Sequence, residues 1–123
     1  MSAKVFLVED NQRIRENLTE ALRDLVKVDV VGHASDPENA VTWLASNDQH
    51  WDVAVVDLFL GRGSGLTVLA ALRVRRARQK VIVLSNFATP EIRERCLAMG
   101  ADRVFDKSTD IDELLAYRSA LEH

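Results

Sequence analysis

The sequence predicts a single α/β domain, a doubly wound parallel sheet of five strands covered by five helices. Two observations carry this. Five short apolar runs alternate with helical patterns along the chain, and strict β–α alternation gives parallel strands joined by crossover helices. Three of the runs are β-branched and apolar at successive positions, the pattern of strands buried on both faces.

The first run, Val5–Val8, is one of these three. Beyond it, Ile14, Leu18, Ala21, Leu22 and Leu25 fall on one stripe of a helix. The second run, Val28–Val31, carries Asp29 and belongs at an edge of the sheet. Ser35-Asp36-Pro37-Glu38 opens the second helix, with Asp36 as its cap and Pro37 at the first helical position. Trp43 is expected to pack that helix on the sheet. The third run is Val53–Val56, and the helix after it is expected to span about Leu66 to Arg78. Val81–Leu84 is the fourth run. The fourth helix is expected from Thr89-Pro90-Glu91 to Gly100, with Ile92, Cys96 and Met99 facing inward. Arg103–Phe105 forms the fifth and weakest run, and a fifth helix follows Asp110 with Ile111, Leu114 and Leu115 inward.

With 123 residues, 47% of them hydrophobic and 28% charged, the chain is long enough for one domain with a real core. A net charge of −3 gives no global argument for binding a polyanion. No apolar run approaches the roughly 18 residues of a membrane span, and MSAKVFLVED lacks the layout of a signal peptide. Cys96 is the single cysteine, so an internal disulfide is excluded and a reducing, cytoplasmic setting is expected. Leu121-Glu122-His123 reads as the remnant of an expression tag, which puts the domain at 1–120 and leaves open whether the natural chain continues.

In an open parallel sheet, ligands sit beyond the carboxyl ends of the strands. The residues there are Glu9-Asp10 after the first run, Asp57 after the third, Ser85-Asn86 after the fourth and Lys107 after the fifth. Three carboxylates brought together repel one another and lose hydration unless a cation offsets them. Hard oxygen donors of this number suit Mg²⁺, and a lysine with a hydroxyl suits a phosphoryl group. There is no histidine base among them, so phosphoryl transfer fits better than proton abstraction.

VEDN at 8–11, VVDLFLGRGSG at 55–65, LSN at 84–86 and FDKS at 105–108 resemble the receiver domain of bacterial two-component response regulators. The resemblance runs over about residues 4–120, with every element in order. It implies a flavodoxin-like sheet in strand order 2-1-3-4-5. It also implies Asp57 as phosphoacceptor, Mg²⁺ held by Glu9, Asp10, Asp57 and the backbone carbonyl of Phe59, and Lys107 pairing first with Asp57 and then with the phosphoryl group. Ser85 and Phe105 become a switch pair that reports phosphorylation on the face of the fourth helix, fifth strand and fifth helix. The implied partner is a sensor histidine kinase or phosphotransfer protein, with a homodimer through that face as a further expectation. Neither nucleic acid nor membrane is an expected partner of this domain. The domain would take up and slowly lose its own phosphoryl group rather than act as an enzyme on a separate substrate.

Three positions depart from the family pattern. Glu9 replaces the commoner aspartate, Asn86 stands where a small residue is usual, and Ser108 follows the lysine in place of proline. A cis peptide before serine costs about 3–4 kcal/mol, so the loop after Lys107 is expected to differ in shape. Plainer readings stand beside these. Singly, Glu9-Asp10 is an acidic turn, Lys107 a surface lysine, and Phe105 as credible a core residue as a switch. RVRRARQK at 73–80 reads as a solvated helix end, and Cys96 as a packed thiol. Two rival functions remain, a docking module that no longer takes phosphate and a phosphatase acting through an aspartyl intermediate.

Overall fold

The structure, a computed structural model, describes residues 3–26, 28–58, 60, 63–86 and 88–106. The elements run β1 (Lys4–Val8), α1 (Gln12–Val26), β2 (Asp29–Ala34), α2 (Pro37–Ser46), β3 (Val53–Asp57), α3 (Gly65–Ala71), β4 (Lys80–Ser85), α4 (Pro90–Ala98) and β5 (Arg103–Asp106). Every strand pair is parallel and the order is β2-β1-β3-β4-β5, so the expected flavodoxin-like sheet is the observed one. The expected fifth helix lies outside the described residues, as do Phe59, Lys107 and Ser108.

Alternate residues of each central strand feed two cores. Phe6, Val8, Ala54, Val56, Val81 and Val83 pack with Ala40 and Leu44 of α2, Val68 and Leu69 of α3, and Cys96 of α4. Val5, Leu7, Val53, Val55, Ile82 and Leu84 pack with Leu18 and Leu22 of α1. This is why the three central runs read as apolar without alternation: both faces are covered. β2 lies at the edge and is only partly buried along its length. There Phe6 and Trp43 stack with ring centroids 4.3 Å apart, so Trp43 does pin α2 to the sheet. Gly32 makes room for the stack, since a Cβ there would sit 3.2 Å from both rings.

The helix starts follow local chemistry. Asp36 caps α2 by accepting from the Asn39 amide at 2.8 Å. Thr89 caps α4, and Gly100 ends the turn after it at φ 101°. Cys96 is fully buried on the inner face of α4, and burial pushes its thiol above the usual range against the opposing pull of Arg95. Among the described residues, no helix is long and apolar enough to cross a membrane.

The third helix differs from expectation. It stops at Ala71 rather than near Arg78, so RVRRARQK is loop and the start of β4 rather than a helix end. Arg75 caps the end that forms there: its guanidinium donates to the carbonyls of Leu72, the last residue of the turn, Gln79 and Gly100 at 2.8–3.0 Å and to Asp102 at 2.7 Å. A side chain that donates to a terminal carbonyl satisfies one of the acceptors a helix end leaves unpaired. Asp102 also accepts from the Val81 amide at 2.8 Å, so one ion pair ties α3, β4 and the α4–β5 turn together.

Candidate metal and phosphoacceptor site

Glu9 and Asp10 follow β1, and Asp57 ends β3. These strands are neighbours, in register from Val5↔Val53 to Val8↔Val56. The crossover of β2 to the far side of β1 is what leaves β1 beside β3. Among the described residues, Glu9, Asp10 and Asp57 form one group: each offers a carboxylate oxygen, and these three oxygens lie within 4.8 Å of one another. Glu9 and Asp57 are 3% and 5% exposed, whereas Asp10 is open to solvent. Two carboxylates at that separation repel by about 3–4 kcal/mol at an effective dielectric of about 20, which a cation reverses. Three hard oxygens with one open side fit Mg²⁺, which keeps several waters and takes only one or two carboxylates directly.

The backbone around these side chains is held on several sides. The Glu9 amide donates to the Ala34 carbonyl at 3.0 Å, and the Glu9 carbonyl accepts from Arg15 at 3.0 Å. Arg15 also reaches the Ser35 hydroxyl at 3.3 Å. Asn11 caps α1 by accepting from the Ile14 amide at 3.0 Å, so the helix begins at Gln12, two residues after Asp10. On the outer side of the same corner, His33 has its pKa lowered, first by burial and then by the charge of Arg15.

The start of α3 approaches the end of β3 closely. The Gly65 amide donates to the Leu58 carbonyl at 2.9 Å, and the Ser64 hydroxyl caps α3 by accepting from the Leu66 amide at 3.1 Å. A Cβ on Gly65 would overlap the Asp57 carbonyl oxygen and lie 2.9 Å from the Leu58 Cα. Gly65 and Arg15 are thus positioning residues that the sequence did not announce. The only hint was a glycine opening an apolar helical pattern, where alanine has the better propensity.

Ser85 ends β4, next to β3, and is fully buried, with Asn86 exposed on the turn beyond it. Phe105 pairs in register with Leu84 and is 2% exposed, so its ring already occupies the inward position in the core that α1 covers. The Arg103 guanidinium lies 5.6 Å from the centre of that ring. Arg93 of α4 donates to the Ala88 and Val104 carbonyls, both at 2.9 Å, which links the β4–α4 loop to β5.

Residues 5–118 match the model of the response regulator receiver domain. The chain belongs to that family. A transcriptional regulatory protein of Bacillus subtilis, YvfU, is 32% identical over 90% of this chain and 54% of its own length. A protein-glutamate methylesterase/protein-glutamine glutaminase of Azospirillum brasilense is 32% identical over 90% of this chain and 28% of its own. The chain therefore spans about half, or less, of these two relatives. Among solved structures, the receiver domain of the Francisella response regulator 1452 superimposes with a TM-score of 0.84 at 26% identity, covering 98% of this chain and 96% of that one.

Proposed function

We propose that this receiver domain takes a phosphoryl group onto Asp57 from a phosphohistidine of a sensor kinase or phosphotransfer protein. The observation that carries the reading is the group formed by Glu9, Asp10 and Asp57 at the carboxyl ends of two adjoining strands. An Asp57 carboxylate oxygen attacks phosphorus, the P–N bond breaks, and its electron pair returns to the imidazole, leaving an acyl phosphate. Mg²⁺ held by Glu9, Asp10 and Asp57, with the Phe59 carbonyl as a further ligand, supplies neutralisation of the phosphoryl charge. Burial of Glu9 and Asp57 among Leu7, Leu18 and Leu84 keeps the carboxylates fixed and limits water to the open side at Asp10. Lys107 pairs with the phosphoryl oxygens, and later attack of water on the acyl phosphate resets the domain. The only bond turned over is on its own side chain, so it is a signalling acceptor rather than an enzyme with a separate substrate, working in the cytoplasm.

The output proceeds from Ser85. Its hydroxyl moves toward the phosphoryl group, and the change passes to Phe105 and to the face of α4 and β5, through which a homodimer forms. Because the Phe105 ring is already buried, the switch is a repacking of that ring and of the Arg93 link rather than a swing from solvent.

Acetyl phosphate with Mg²⁺, followed by intact-protein mass spectrometry, tests the reading. One phosphoryl group is expected on the wild type and none on Asp57→Asn. Equal labelling of that variant, or no adduct on the wild type from any donor including a cognate kinase, would overturn it.

A further inference from the structure

The corner between β2 and α2 touches the backbone on both sides of the carboxylate group. On one side it meets the end of β1. The Ala34 carbonyl accepts from the Glu9 amide at 3.0 Å, and Arg15, which donates to the Glu9 carbonyl, also reaches the Ser35 hydroxyl at 3.3 Å. On the other side it reaches past β1 to the residues that follow β3, where Gly63 lies on the ring of Pro37. A Cβ on Gly63 would stand 2.9 Å from Pro37 Cγ and 3.2 Å from its Cδ, and φ there is 80°, a value that favours glycine.

Opening a helix does not account for all of Pro37. At the first helical position a proline supplies its fixed φ and gives up an N–H that has no partner within the helix. Neither effect requires the ring to be covered. Yet Pro37 is buried, while the next two residues of the same turn, Glu38 and Asn39, are exposed. The ring has no rotamers to lose, so ordering it against Gly63 costs nothing in side-chain entropy.

From Gly63 the constraint passes along the chain to Gly65. The Gly65 amide donates to the Leu58 carbonyl at 2.9 Å, and there is no room for a Cβ between Gly65 and the Asp57 carbonyl oxygen. The last β1–β3 pair in register is Val8↔Val56, and Glu9 and Asp57 each lie one residue beyond it. The contacts of the corner therefore begin where that pairing stops.

We propose that Pro37 is a positioning residue for the phosphoacceptor site, and that the β2–α2 corner is a bracket holding the backbone around Asp57 against Glu9. Pro37 touches neither the cation nor the phosphoryl group. It acts through Gly63, while Ala34 and Ser35 secure the Glu9 side. Mg²⁺ demands nearly ideal octahedral geometry, so a small displacement of one carboxylate from another is felt as lost affinity. This role rests on the reading of Glu9, Asp10 and Asp57 as Mg²⁺ ligands.

Pro37→Ala removes the ring and keeps both the Asp36 cap and a good helix former. Mg²⁺ is titrated into the ¹⁵N-labelled full chain and followed by the amides of Asp10 and Asp57, and labelling by acetyl phosphate is timed over the same Mg²⁺ range. The variant is expected to need about tenfold more Mg²⁺ for half-saturation, the lower end of what losing a group that orients metal ligands costs. Its labelling rate at saturating Mg²⁺ is expected to stay near that of the wild type. A residue that only stabilised the fold would lower Tm and leave the Mg²⁺ midpoint in place. Gly63→Ala supplies a second arm. Its methyl meets the ring in the wild-type background and weakens Mg²⁺ binding, and it weakens binding much less once Pro37→Ala has cleared the space. The strain of the positive φ is common to both backgrounds and cancels in the cycle. A midpoint in Pro37→Ala equal to that of the wild type, or strictly additive effects of the two substitutions, would overturn the bracket and leave the metal reading intact. A wild type with no saturable response to Mg²⁺ would overturn the metal reading and the bracket together.

Discussion

Replacing Gly65 by alanine adds one methyl group where α3 meets the strand that carries Asp57. The new Cβ would lie 2.9 Å from the Leu58 Cα, half an ångström inside the 3.4 Å at which ordinary contact begins, and would overlap the Asp57 carbonyl oxygen. Both obstacles are backbone, so no flexible side chain absorbs the overlap, and α3 or the 57–58 peptide has to move. Overpacking of this kind costs about 1–3 kcal/mol, and the rigid surroundings favour the upper part of that range. Alanine recovers up to about 1 kcal/mol through its better helix propensity. A net loss of about 1–2 kcal/mol follows, or roughly 4–8 °C in Tm for a domain of this size. The same movement shifts Asp57 relative to Glu9 and Asp10, so labelling by acetyl phosphate is expected to slow. Thermal denaturation and the rate of adduct formation are measured on one preparation. A variant as stable as the wild type and labelled at the same rate would refute the close-approach argument.

Asn86→Ala is expected to change the lifetime of the acyl phosphate severalfold while leaving Mg²⁺ affinity nearly unchanged, because Asn86 is exposed on the turn beside the site and outside the carboxylate group. Phosphate release from labelled protein checks this, and an unaltered rate removes Asn86 from the chemistry. Arg75→Met keeps the stem but strips four hydrogen bonds and leaves Asp102 without its cation, an expected loss of about 2–4 kcal/mol. Urea unfolding reads it as a lower midpoint at the same slope. Arg15→Gln is expected to raise the His33 pKa without returning it to 6.5, since burial is the larger cause of its lowering. With a lowered folded pKa, His33 contributes stability that is present above 6.5 and is lost as pH falls through its folded value. The variant therefore shows a smaller loss over that window, followed by the His33 ring resonances and by denaturation at several pH values.

The parts of the fold readable from sequence are those set by local chemistry or by burial on two faces. Val5–Val8, Val53–Val56 and Val81–Leu84 announced the central strands because nothing polar interrupts them, and Asp36-Pro37 and Thr89-Pro90 announced helix starts because a cap acts within three residues. The end of α3 was not readable. Arg75 caps that helix at Leu72 while also reaching Gly100 and Asp102, about 25 residues away in sequence. Nothing in RVRRARQK separates a guanidinium that staples three elements from one dissolved in water. Of the candidate site, the carboxylates were legible from their place after apolar runs, and the structure brings Glu9, Asp10 and Asp57 together. Gly65 escaped because its function is the absence of a side chain.

The adjacency of β1 and β3 also bears on how the domain reaches its native state. Glu9 and Asp57 are 48 residues apart in sequence, and the ladder between β1 and β3, strands about 4.8 Å apart, is what sets them side by side. The three carboxylates that the proposed function assigns to Mg²⁺ come together only after that pairing has closed the segment containing α1, β2 and α2. On that reading, added Mg²⁺ is expected to raise the free energy of unfolding by an amount set by its concentration over its dissociation constant. A metal titration followed by denaturation midpoint thus counts molecules in which β1 has found β3, and separates them from compact chains in which it has not.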